Sequence, residues 1–108
     1  MPRDRLDLPA AHRQVAIDIM RQHLPPDSTV WVFGSRAAGQ ARRYSDLDLA
    51  IDAGRRLTLD DTAALAEAFE ESDLPYRVDI VDWLATSARF REIIAADRVL
   101  LVPDPMTD

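Results

Sequence analysis

Two neighbouring stretches restrict this chain more than any other feature: Trp31-Val-Phe-Gly-Ser-Arg-Ala-Ala-Gly39 and, shortly after it, Ser45-Asp-Leu-Asp-Leu-Ala-Ile51. An apolar β-type run ends in Gly34-Ser35, a basic loop follows, and a second apolar run opens on two aspartates with one residue between them. A strand advances about 3.3 Å per residue and alternates faces, so Asp46 and Asp48 point the same way with Cα atoms roughly 7 Å apart. Acids are depleted from strands, and two on one face of an apolar strand repel each other unless cations neutralise them. Carboxylates at this spacing can share divalent cations, as a two-metal site needs for ions about 3.5–4 Å apart. Gly34 removes bulk where an anion must approach the backbone, and Ser35 offers a hydroxyl and an N–H. The pattern implies a phosphate cradle beside a metal cradle.

The surrounding pattern predicts how these stretches are held. Residues 1–8 are charged and expected to be loose, as is the Pro-marked tail 103–108. Pro9 suits the first turn of a helix running to about Leu24, with Ala11, Val15, Ile19 and either Ile17 or Met20 on its apolar stripe. Thr29 to Phe33 reads as a buried strand, residues 34–45 as a loop with a helical turn near Arg36 to Ala38, and Leu47 to Ile51 as a second strand. Alternation puts Leu47, Leu49 and Ile51 on the core face and Asp46, Asp48, Ala50 and Asp52 on the other. Thr58 reads as an N-cap with Asp60 and Asp61 in the first helical turn, and the helix turns Leu65, Ala66 and Phe69 inward. Tyr76 to Val81 is a third strand. Ser87 caps a short helix to about Ala96 anchored by Phe90, Ile93 and Ile94, and Arg98 to Val102 is a last strand. This order predicts an α/β (α+β) domain with a mixed sheet of about four strands flanked by helices.

Within the third strand, Asp79 alternates away from Val78 and Ile80, whereas Asp82 falls on the opposite face near the strand end. Asp79 is therefore the better third carboxylate. Gly-Ser, then Asp-x-Asp, then a lone Asp on a later strand resembles the nucleotidyltransferase superfamily, and most of all the minimal nucleotidyltransferases that partner HEPN toxins in prokaryotic toxin–antitoxin pairs. The matching residues are Gly34, Ser35, Arg36, Gly39, Ser45, Asp46, Asp48 and Asp79, and the resemblance runs from about Trp31 to Leu101. It implies the nucleotidyltransferase fold, two Mg²⁺ ions on Asp46, Asp48 and Asp79, and ATP held through Gly34, Ser35, Arg36 and Ser45. It further implies transfer of AMP to a hydroxyl, typically of tyrosine, on a HEPN-type toxin. Family members often carry Gly-Ser-Arg-Ala-Arg-Gly; this chain has Ala38 in place of the second arginine.

Composition sets the outer bounds. A chain of 108 residues fits one domain, 1–108, with no second domain to form an acceptor pocket. The acceptor is therefore expected on another protein. Nineteen acidic against 13 basic residues give a net charge of −6, which disfavours direct nucleic-acid binding. There is no cysteine, hence no disulfide, thiolate metal site or cysteine nucleophile. No apolar run approaches the roughly 18 residues that span a bilayer, and the charged N-terminus is not a signal peptide, so a cytoplasmic protein without a membrane partner is expected.

Other features carry less. A P-loop is excluded because Gln40-Ala41 stands where Lys-Ser/Thr is required. Arg36, Arg42 and Arg43 are phosphate-contact candidates or simply a solvated loop. His12 and His23 are too far apart on one helix to share a metal and are expected at the surface. Trp31, Phe33, Trp83 and Phe90 are assigned to core or partner contacts, and the segment from Phe90 to Val102 is a candidate partner surface. The competing functional class is an antitoxin that masks its toxin without catalysis; transfer to a small-molecule hydroxyl is a weaker third reading.

Overall fold

The computed structural model describes residues 6–42 and 44–103. Expectations about residues 1–5, Arg43 and residues 104–108 lie outside the described residues. The element order is α1 (Ala10–His23), β1 (Thr29–Phe33), α2 (Ser35–Ala38), β2 (Leu47–Asp52), α3 (Leu59–Glu70), β3 (Val78–Asp82), a 3₁₀ turn (Trp83–Ala85), α4 (Ala88–Asp97) and β4 (Val99–Val102). The strands form one mixed sheet in the order β3-β2-β1-β4. β1 runs antiparallel to both β2 and β4, while β2 and β3 are parallel and joined through α3.

Periodicity explains the packing. Val30 and Val32 of β1, with Leu47, Leu49 and Ile51 of β2, point to one face and meet Ile17 and Met20 of α1 and Leu65 and Phe69 of α3 in a single apolar cluster. The other face carries the alternate residues. It is not bare: Ala50 and Ile94 are fully buried apart from that cluster, where α4 packs on β1. Trp31 and Trp83 lie 5.1 Å apart by ring centroids, with the Arg98 guanidinium 4.3 Å from the Trp31 ring and 5.0 Å from that of Trp83. Aromatic and cation–π contacts of this kind close the side layer.

Local signals set the helix starts. Thr58 Oγ1 accepts from the Asp61 N–H at 3.0 Å while the Thr58 N–H donates to Asp61 Oδ2 at 2.9 Å, a complete capping box for α3. Ser87 Oγ accepts from the Phe90 N–H at 3.2 Å and caps α4. Several details depart from the sequence pattern. On α1 the buried residues are Ala16, Ile17, Ile19 and Met20, and Ala11 is exposed, because the stripe follows the contact with α3 rather than the helix start. Ala66 of α3 is exposed too. On α4 only Ile94 is buried; Phe90 is 37% and Ile93 57% exposed, since one edge of this short helix meets the sheet. Leu6 and Leu8, expected to be loose, pack against the main core.

Among the described residues no helix is long and apolar enough to cross a membrane. The central strand should be the most sensitive part of the fold. Leu49→Ala removes a fully buried side chain between two paired strands and is expected to cost about 2–5 kcal/mol. Urea unfolding should show the midpoint falling with the slope unchanged.

Candidate active site

The site lies where β1 ends and β2 and β3 begin. In the sheet register Phe33 opposes Asp48 and Asp48 stands beside Asp79, so Phe33, Asp48 and Asp79 form one row across three strands. Directly paired residues share a face with Cβ atoms about 4.5–5.5 Å apart in an antiparallel pair. Asp46 precedes β2 and is exposed. Asp48 is partly buried, and that burial pushes its carboxyl above the usual range; Asp79 and then Asp46 push it further.

Gly34 ties this row to the preceding turn. Its backbone has φ 76° and ψ −155°, a conformation open to glycine and closed to side-chain-bearing residues. A Cβ there would collide with Asp48 Oδ2 and lie 3.3 Å from Asp48 Cγ. The glycine therefore lets the turn touch the carboxylate directly. Gly34 O accepts the N–H groups of Ala37 and Ala38 at 3.1 and 3.0 Å, which folds Ser35–Ala38 into the short α2. Gly39, with φ 75°, then reverses the chain.

The structure sends Arg36 somewhere other than expected. It is 3% exposed, and its Nε and Nη2 donate to the Ser45 carbonyl at 3.0 and 2.8 Å while Nη1 donates to the Asp7 carbonyl at 2.9 Å. Its guanidinium carbon sits 3.9 Å from the centre of the Tyr76 ring. Arg36 thus binds the protein's own backbone, where the sequence left a phosphate contact or a solvated loop open. Loop sequence alone could not show which carbonyls fold back over the side chain. Ser45 likewise serves the loop, its Oγ accepting from the Arg42 N–H at 2.8 Å. His12 is a correction: it is half-buried and its Nδ1 lies 2.8 Å from the Tyr76 hydroxyl, a pairing across 64 residues that no local signal reveals.

Asp82, the rival acid, is used structurally. Its Oδ2 accepts the Leu57 N–H at 2.8 Å and its Oδ1 the Leu84 N–H at 3.1 Å. Asp79 pairs with Arg77 at 3.1 Å, both partly exposed, an ion pair of little energetic weight. Among the described residues no three histidine, cysteine or carboxylate side chains stand closely enough to enclose a metal ion. The donor set nevertheless suits a hard divalent cation: three carboxylates, of which Asp48 is partly desolvated. Phe33, edge-on to Phe90 at 6.0 Å between ring centroids, forms an apolar wall beside Asp48.

Comparison with known proteins agrees with this geometry. The family model described as polymerase beta, nucleotidyltransferase matches residues 15–105. The chain is 51% identical over 90 residues, 83% of its own length and 78% of the other's, to the probable protein adenylyltransferase MntA of Haemophilus influenzae. A toxin–antitoxin structure with AMP-PNP superposes with a TM-score of 0.72 at 27% identity, covering 82% of this chain and 71% of that one. A variant MntA–HpeT toxin–antitoxin complex in which two aspartates are replaced by glutamate gives 0.70 at 25% identity, covering 82% and 70%. With the turn, the paired aspartates and the later strand acid in register, this chain belongs to the polymerase beta nucleotidyltransferase family and is a small, MntA-like nucleotidyltransferase.

Proposed function

We propose that this enzyme is the antitoxin of a toxin–antitoxin pair, transferring AMP from ATP to a hydroxyl, that of a tyrosine, on a HEPN-type partner. The observation that carries the reading is the contact of Gly34 with Asp48: it puts an anion-accepting turn against a carboxylate row, which is useful only if phosphates and cations meet there. The MntA relative's name and the toxin–antitoxin complexes, one holding a nucleotide analogue, support the donor and the kind of partner.

In this scheme Asp46, Asp48 and Asp79 would hold Mg²⁺, two ions being what paired carboxylates suit. Bound there, Mg²⁺ would neutralise charge on the entering and leaving oxygens. Gly34 and Ser35 receive the β- and γ-phosphates through backbone and hydroxyl. The acceptor oxygen attacks the α-phosphorus, the bond to the bridging oxygen breaks, and pyrophosphate leaves in line. The acceptor proton passes to Asp79 or to solvent. Phe33 and Phe90 shield the Asp48 side of the site from water, and the protein contributes mainly position and a partly dry environment.

A second reading draws on the exposed Phe90 and Ile93 of α4, an apolar surface suited to binding a partner: neutralisation by masking alone. An Asp46→Asn, Asp48→Asn protein separates the two. Loss of neutralisation at equal abundance supports catalysis, and full retention supports masking.

Asp48→Asn should lower AMP transfer by at least about 10²-fold, read by intact mass of the partner incubated with ATP and Mg²⁺. The same substitution should raise the melting temperature in EDTA at pH 7. The folded protein keeps the Asp48 proton to higher pH than the unfolded chain does, so stability falls as pH rises through that interval, and a neutral amide escapes the loss. Gly34→Ala should abolish transfer while leaving partner binding intact, since the methyl group meets the Asp48 carboxylate and the φ of 76° is strained for alanine. Pull-down and transfer assays on one preparation would check it.

A further inference from the structure

We infer that Arg36 is a positioning residue that locks Asp46 to the Gly34-Ser35 turn, joining the carboxylate half of the site to the phosphate half. The inference rests on the nucleotidyl-transfer reading above for its kinetic consequence, but its structural content stands apart from it.

Arg36 lies in α2, one residue after Ser35, so its backbone moves with the turn. Its side chain crosses the loop and grips the Ser45 carbonyl with two N–H groups, at 3.0 and 2.8 Å. That carbonyl belongs to the peptide that delivers Asp46. Asp46 itself lies outside β2, which starts at Leu47, so the ladder does not hold it directly. The two halves of the site are separated by a loop, and among the described residues Arg36 bridges it.

A second pair of bonds anchors the clamp from outside. The Asp7 N–H donates to the Arg36 carbonyl at 2.8 Å, and Arg36 Nη1 donates back to the Asp7 carbonyl at 2.9 Å. Tyr76 lies under the guanidinium at 3.9 Å and is itself held by His12 through its hydroxyl at 2.8 Å. Tyr76 leads into β3, which carries Asp79, so the clamp touches the segments on which all three acids depend. The planar fork explains the residue type: one guanidinium can serve one carbonyl twice, reach a second carbonyl and stack on a ring, which an ammonium cannot do. A phosphate ligand would have to displace these backbone acceptors from a side chain that is 3% exposed.

The clamp and a direct phosphate contact predict opposite results for Arg36→Lys, which keeps the charge and loses the fork. With a clamp, kcat for AMP transfer falls by about 10- to 100-fold through displacement of Asp46, and KM for ATP stays within about twofold. Mn²⁺ affinity without nucleotide, followed by electron paramagnetic resonance, weakens by about tenfold. Hydrogen exchange of the 41–47 segment accelerates at a temperature where the rest of the chain keeps its protection. A rise in KM for ATP with kcat, Mn²⁺ affinity and exchange unchanged would overturn the proposal. So would unchanged exchange alone. If Arg36→Lys does not fold, Arg36→Gln, which keeps an N–H donor and loses the fork that grips the Ser45 carbonyl, is measured by the same three readouts and judged by the same outcomes. Should the wild type itself transfer no AMP, the functional reading fails, while the exchange comparison still decides whether Arg36 orders the loop.

Discussion

The close approach of the Gly34 backbone to the Asp48 carboxylate is the contact on which the site depends. It requires a residue without Cβ, a positive φ, and a strand end and strand start brought side by side by an antiparallel pair. Each requirement comes from a different level of organisation, and all meet at one position. Once they are met, the turn that can accept an anion and the row of acids that can accept cations share a boundary. The rest of the sheet holds that boundary: β1 and β2 are its two sides, β3 supplies Asp79, and α1 and α3 cover the back.

The arrangement has an electrostatic cost. Three carboxylates are kept near one another, and the one in the middle is partly desolvated, so the folded chain holds charge where an unfolded chain would disperse it. Apolar burial on the opposite face offsets this, with Leu47, Leu49 and Ile51 alternating with the site residues along β2. The strand that carries Asp48 is thus also deeply set in the core. Arg36 adds a buried cation in the neighbouring loop, with backbone carbonyls and an aromatic face among its partners.

Much of this could be read from residue order, because the relevant signals are local. The alternation in Leu47 to Ile51, the Thr58 and Ser87 caps, and the Gly-Ser turn after a β-branched run each act within a few residues. Each appears in the structure where the pattern put it. Side chains whose partners come from distant segments were harder to read. Arg36, beside Gly-Ser and near two more arginines, read as a phosphate contact or a solvated loop residue, and its bonds to the Asp7 and Ser45 carbonyls come from segments that no local pattern names. His12 looked like a surface residue until Tyr76 met it. Phe90 and Ile93 fit an inward stripe on α4, but the helix meets the sheet along an edge narrower than its apolar face.

By itself, the sequence determined the class of fold, the core face of β2 and the glycine after β1, because strand alternation and steric limits operate over a few bonds. Tertiary structure alone decided that Asp79 stands beside Asp48, that Phe33 walls one side of the site, and that Arg36 turns inward. Sheet register and the reach of a long side chain depend on segments that meet only when the core closes, and no local pattern encodes that meeting.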